Sequence, residues 1–126
     1  MSEKSCPPIV LVIAGNDPSG GAGLCADIQT LAHWGCHAAP VITCVTVQNT
    51  TNIQTISTLA GTQVTAQAET ILADVPIAVC KIGLLGSVEI IEAVADVLRR
   101  HPTLKVVLDP ILAAGGGHPV ATAEIR

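Results

Sequence analysis

Aromatic side chains are almost missing from this chain: it has no Tyr, no Phe and a single Trp, Trp34, in 126 residues. Proteins that hold single-stranded nucleic acid stack its bases on aromatic platforms, and no such set exists here. Basic residues are scarce too, six Lys and Arg against ten Asp and Glu for a net charge of -4. A nucleic-acid groove needs clustered cations, so that class of function is excluded. Charge of either sign is low, at 13% of residues, about half the ~25% usual for soluble domains. With 49% of its residues hydrophobic, the chain has too little polar surface to cover itself. No apolar stretch reaches the roughly 18 residues of a membrane span, because Asn16, Asp17, Gln48, Lys81 and Asp109 interrupt the runs. The shortfall in polar surface points instead to a larger domain around this segment, to a second subunit, or to both.

The opening MSEKSCPPIV carries one lysine and no long apolar region before Pro7 and Pro8, so no signal peptide is expected. Cys6, Cys25, Cys36, Cys44 and Cys80 are odd in number and contain no C-x-x-C pair; reduced thiols in a cytoplasmic protein are the expectation. His33, Cys36 and His37 stand close together, but without a second cluster they do not make a zinc site.

What the chain does have is periodic. Residues 9–14, 41–47, 77–84 and 104–108 are short Val- and Ile-rich runs with little alternation, the pattern of strands buried on both faces of a parallel sheet. Helical stripes lie between them: Leu24, Ile28 and Leu31 up to Gly35; Val64, Ala68, Ile71, Leu72 and Val75 up to Pro76; and Ile90, Ile91, Val94, Val97 and Leu98. Ser87 is placed to cap the third helix, Glu89 lies in its first turn, and Arg99, Arg100 and His101 suit its C-terminus before Pro102. Residues 53–57 alternate weakly, as a short edge strand or flap would. Strands alternating with helices give an α/β sheet, and the bare growing edge of four core strands suggests the N-terminal part of a larger α/β domain.

Ligands of open parallel sheets sit beyond the carboxyl ends of the strands, and there the polar residues gather: Asn16 and Asp17, Gln48 and Asn49, the KIGLLG stretch, then Asp109 and Pro110. The first of these rim segments is AGNDPSGGAG, residues 14–23. It is not a Walker loop, because Gly23 is followed by Leu24 and Cys25 rather than Lys and Ser or Thr. Gly21, Gly23 and Ala26 fit a dinucleotide turn, but no Asp or Glu occurs in residues 38–52 to hold a ribose. A tight turn explains the glycines but not Asp27, one turn inside the helix, which needs a partner or a ligand. Lys81, interior to an apolar run, is either a cation near phosphate or the partner of a carboxylate. Gln48 and Asn49 either bind a ligand or satisfy backbone at a strand end. His118 is expected on a loop surface.

Four motifs in order, AGNDPSGGAG with Ala26 and Asp27, VITCVTVQNT, KIGLL and VVLDP, resemble the N-terminal half of the hydroxymethylpyrimidine/phosphomethylpyrimidine kinases over residues 9–117. That family has the ribokinase-like fold. The resemblance implies a three-layer α/β/α arrangement with a mostly parallel sheet, incomplete at its C-terminal side, residues 1–126 being the N-terminal part of a single kinase domain. It implies ATP- and Mg2+-dependent phosphorylation of 4-amino-5-hydroxymethyl-2-methylpyrimidine and then of its monophosphate in thiamine synthesis, by a cytoplasmic homodimer.

Carried over by motif, Gly15, Asp27 and Gln48 match pyrimidine-contacting positions. Leu84 stands where the family often has a Met packed on the ring, and Asp109 matches the residue that organises metal and phosphate. A Gln amide suits the acceptor and donor edge of an aminopyrimidine, as it suits adenine. The resemblance assigns the glycine-rich anion hole, the catalytic base and much of the ATP site to the C-terminal half, so no residue here is expected to be catalytic. Two departures stand out: Asn16 replaces the usual Ser or Thr, and AAGGGH at 113–118 lacks the Lys or Ser and acidic residue common after the D-P motif. A noncatalytic pyrimidine-binding module is the competing expectation.

Overall fold

The computed structural model describes residues 5–117 and 119–125; His118 falls outside them. Along the chain lie β1 (Ile9–Asn16), α1 (Gly23–His33), β2 (His37–Gln48), β3 (Ile53–Thr58), α2 (Gly61–Asp74), β4 (Ile77–Ile82), α3 (Val88–Arg100) and β5 (Val106–Leu108). The strands form one sheet in the order β3-β2-β1-β4-β5. Every pairing is parallel except β2 with β3.

β1 is central, and its unbroken apolar run is explained by burial on both sides. Leu11 and Ile13 pack with Val64 and Ala68 of α2 and with Ile90, Val94 and Val97 of α3. Val10, Val12 and Ala14 turn the other way, onto Leu24 and Leu31 of α1. The result is three layers, with α1 on one face and α2 and α3 on the other. Each large side chain buried this fully contributes about 1.5–3 kcal/mol relative to exposure.

Helix ends follow local chemistry. Ser87 Oγ accepts from the Ile90 amide at 3.2 Å, the cap expected for α3. Glu89 does more than suit its own helix, because its Oε1 accepts from the Gly61 amide at 2.7 Å and so satisfies the start of α2. At the other end, Arg100 Nε and His101 Nε2 each reach a Glu69 carboxylate oxygen at 2.8 Å, fastening α3 to α2.

The expectation of strands buried on both faces holds for β1 and fails for β2 and β5. β5 is shorter than the apolar run 104–108, and Val106, Val107 and Leu108 are all exposed at the sheet edge. β2 starts four residues before its apolar run, because HAAP pairs with β1 from Ile9↔His37 onward. Tertiary pairing here overrides the weak strand preference of Ala and Pro. Pro40 is tolerated because this end of β2 is a free edge: the outward-turned Ile42 amide and carbonyl are met by the Gln67 side chain at 3.0 and 3.1 Å. Pro40, two residues earlier, turns the same way and has no N–H to leave unpaired.

The register of β2 against β1 then slips, Ala14 pairing with Ile42 but Asn16 with Val45. One extra residue in β2 inverts which side chains face inward. Before the slip Ala39 and Val41 are buried; after it Cys44 and Thr46 are, while Val45 and Val47 lie 51% and 53% exposed.

Candidate functional site

β1 has β2 on one side and β4 on the other, and the helices that follow lie on opposite faces, so a crevice opens at the carboxyl ends of β1 and β4. A cavity of about 150 Å³ occupies it, lined by Gly15, Asp17, Thr46, Gln48, Ile53 and Leu84 and walled by the segment that follows β5. A space of ~150 Å³ is enough for one benzene-sized ring. Three of the residues singled out from the sequence, Gly15, Gln48 and Leu84, meet there.

The loop from Asn16 to Gly23 is shaped by two close approaches that only glycine allows. A Cβ on Gly15 would fall 2.6 Å from Cys44 Sγ. Gly23, at φ +58, sits over the end of β1 so closely that a Cβ there would meet the Gly15 carbonyl oxygen. Between them Asp17, only 4% exposed, accepts from the Ser19 amide at 2.8 Å and the Ser19 hydroxyl at 2.9 Å. Its buried charge is thereby met by local donors. Beneath the floor, burial pushes the Cys44 thiol above its ordinary range, opposed in part by the Thr43 hydroxyl, so Cys44 is a neutral packing neighbour.

The polar wall comes from β2. The Thr46 hydroxyl donates to the Asn16 carbonyl at 2.7 Å, and Gln48 Nε2 donates to Thr46 Oγ1 at 2.6 Å. Asn49 behaves differently from its neighbour: its Oδ1 accepts from the Thr51 and Asn52 amides at 2.9 and 3.0 Å and closes the turn into β3. Gln48 faces the cavity, whereas Asn49 serves backbone.

Asp27 and Asp109 lie outside this cavity. Both carboxylate oxygens of Asp27 are 3.0 Å from Lys81 Nζ, with the two side chains about one-fifth exposed. Lys81 is the carboxylate partner, and the charge that Asp27 carries at the edge of the core is balanced across α1 and β4. Asp109 directly follows β5 and lines an adjoining cavity of about 200 Å³ that shares Leu84 and Ile111 with the first. Among the described residues no group of three or more His, Cys, Asp or Glu is placed to hold a metal ion. Asp109 is a single carboxylate, and Mg2+ is commonly bound through one or two carboxylates with phosphates and waters completing its shell.

Two residues of the site were not singled out from the sequence. Asp17 was visible only as a rim residue, and its burial depends on how the glycine loop folds back. Thr46 carried a signal that was available: it stands two residues before Gln48 and therefore on the same side of the strand.

The family described as phosphomethylpyrimidine kinase matches residues 17–126. Hydroxymethylpyrimidine/phosphomethylpyrimidine kinase of Salmonella typhimurium is 43% identical over 110 residues, 87% of this chain and 41% of that protein. Phosphomethylpyrimidine kinase of Clostridium difficile superposes with a TM-score of 0.86 at 33% identity, over 94% of this chain and 51% of the other. Pyridoxal kinase of Staphylococcus aureus, in complex with AMP-PCP and pyridoxal, superposes with a TM-score of 0.72 at 29% identity, over 87% of this chain and 41% of the other. The chain thus spans about two fifths of the length of the bacterial relatives it matches, and its mostly parallel five-stranded sheet with helices has the ribokinase-like fold of these structural neighbours. Over that span, sequence and structure agree that the chain belongs to the phosphomethylpyrimidine kinase family.

Proposed function

We propose that this chain forms the pyrimidine-binding part of an ATP-dependent kinase that phosphorylates the hydroxymethyl group of 4-amino-5-hydroxymethyl-2-methylpyrimidine, and then its monophosphate, for thiamine synthesis. The observation that carries this reading is the ring-sized cavity of about 150 Å³ at the sheet's switch point, with Gly15, Leu84 and the Gln48 amide on its walls. Leu84 supplies an apolar contact for a ring face, and the bare backbone of Gly15 lets a flat ligand approach. Gln48 supplies the polar edge that an aminopyrimidine complements. Asp27 lies outside the cavity and holds Lys81 beside Gly83, next to the Leu84 that lines it.

Phosphoryl transfer depends on positioning and on neutralising charge. Asp109, beside the pyrimidine cavity, would hold a Mg2+ ion, which when bound with ATP neutralises the phosphate oxygens. Residues 1–126 act in this reading as the N-terminal part of one ribokinase-like domain. The exposed apolar side chains of Val106, Val107 and Leu108 on the edge strand β5 support that assignment, since apolar surface at a sheet edge is suited to cover by further structure. The exposed apolar side chains of β2 fit a homodimer, and five free thiols fit a cytoplasmic, reducing compartment.

Calorimetry with the aminopyrimidine tests the site. Binding is expected, and Gln48→Leu should abolish it while leaving the circular dichroism and melting of the protein unchanged. Unchanged affinity in Gln48→Leu removes the assignment. Addition of Mg-ATP separates the two functional readings: pyrimidine binding without nucleotide binding or product would make this chain a binding module. The observation favouring that module is that, among the described residues, the cavity's lining contains no Lys or Arg.

A further inference from the structure

We propose that Thr46 is a positioning residue that decides which way round Gln48 presents its amide, and so sets the cavity's preference for a ligand bearing an amino group over one bearing a carbonyl. The inference rests on the reading above that Gln48 meets the ring.

A hydroxyl has one hydrogen to give. Thr46 Oγ1 lies 2.7 Å from the Asn16 carbonyl oxygen, which can only accept, so that hydrogen is committed. The Gln48 amide approaches the same hydroxyl oxygen at 2.6 Å. With no hydrogen left, Oγ1 can only accept, and the group that meets it must be Nε2. Turning the amide over would press Oε1 against another oxygen with nothing between them. Thr46 is 5% exposed, so water is poorly placed to relieve that contact. A glutamine amide is otherwise free to sit either way round, its orientation decided only by its hydrogen-bond network.

The network begins at a backbone atom. Asn16 pairs with Val45 at the end of the β1–β2 ladder, which holds its carbonyl still, and the strand slip described above brings Thr46 and Gln48 to the same inner face. The chain from Asn16 carbonyl to Thr46 hydroxyl to Gln48 amide therefore leaves Oε1 turned away from Thr46, with one Nε2 hydrogen in reserve. A ligand amino group donates to that oxygen. A carbonyl at the same position would oppose it and leave both oxygens unpaired.

The test is calorimetric titration of the full chain with 4-amino-5-hydroxymethyl-2-methylpyrimidine and with its 4-oxo counterpart. The wild type should favour the amino compound by about 10- to 100-fold, the effect of leaving a buried acceptor unpaired. Thr46→Val keeps the shape and removes the hydroxyl, and the preference should fall to within about threefold. Thr46→Ser should keep the wild-type preference. Thr46→Ala is a second hydroxyl-free variant and should match Thr46→Val, whichever of the two folds better. Full preference in a folded hydroxyl-free variant, or its loss in Thr46→Ser, overturns the proposal. Failure of the site reading has a different signature: the wild type binds neither compound, or Gln48→Leu binds as the wild type does.

Discussion

The two halves of β2 obey opposite rules. From His37 to Ile42 the strand is built for stability, with Ala39 and Val41 packed inward and the edge closed by Pro40 and the Gln67 amide. From Val45 to Gln48, beyond the slip in register, the apolar side chains point out and the polar ones point in. A strand arranged for stability alone would have kept Val45 and Val47 inside. The second half gives up that burial to bring Thr46 and Gln48 to a cavity, so the bulge is the point at which the strand changes from holding the fold to serving the site.

One substitution made twice should break the comparison or confirm it. Val41 is 1% exposed among apolar side chains, so Val41→Thr places a hydroxyl where it finds no partner and should cost about 2 kcal/mol. Val47→Thr, on the outward face of the same strand, should change stability by less than about 0.5 kcal/mol. Strand preference is similar for Val and Thr, so the difference isolates burial. Urea unfolding of both variants measures it, and equal costs would mean that the inversion of faces at the slip is wrong.

Gln67→Ala probes the first half alone. It removes the side chain that engages both the amide and the carbonyl of Ile42 at an edge open to water. Because water replaces part of what is lost, the expected cost is about 1 kcal/mol. The freed edge should also promote association, detectable by sedimentation velocity, while aminopyrimidine affinity at the far half stays as in the wild type. An unchanged urea midpoint would show that the Gln67 clamp is idle.

Much of this was legible in the sequence, and the reasons for the exceptions are physical. Helix stripes, the Ser87 cap and the central strand follow from spacing within a few residues, and the structure places each where its local chemistry requires. The start of β2 at His37 and its bulge were not legible, because both depend on pairing with β1 rather than on β2 itself. Lys81 admitted two roles until Asp27, 54 residues earlier in sequence, was seen across from it. Thr46 was overlooked because its importance comes from the Asn16 carbonyl, a backbone atom that no side-chain pattern announces. The strand runs marked the rim on which Gln48 and the KIGLLG stretch stand, while the choice of Gln48 and Leu84 as ring contacts came from the resemblance of the QNT and KIGLL motifs to the kinase family.

Glu69 offers the smallest and most selective test. It lies two residues beyond Gln67 on α2, and its carboxylate holds α3 through His101 and Arg100. The His101 hydrogen bond, then that of Arg100, lowers its pKa below the ordinary 4.5. A carboxyl whose folded pKa is depressed contributes its stability above the unfolded pKa and loses it as pH falls through the folded one. The contribution should therefore be complete above roughly pH 5 and gone well below pH 4. The pair is partly exposed, so its worth should stay under about 1 kcal/mol and shrink in salt. Urea midpoints of wild type and Glu69→Gln should differ at pH 6 and converge in acid, because protonated Glu69 resembles Gln. Parallel curves would mean the carboxylate contributes nothing. Aminopyrimidine affinity at pH 6 should be equal in the two proteins, since the contact lies at the α2–α3 layer and the second half of β2 takes no part in it.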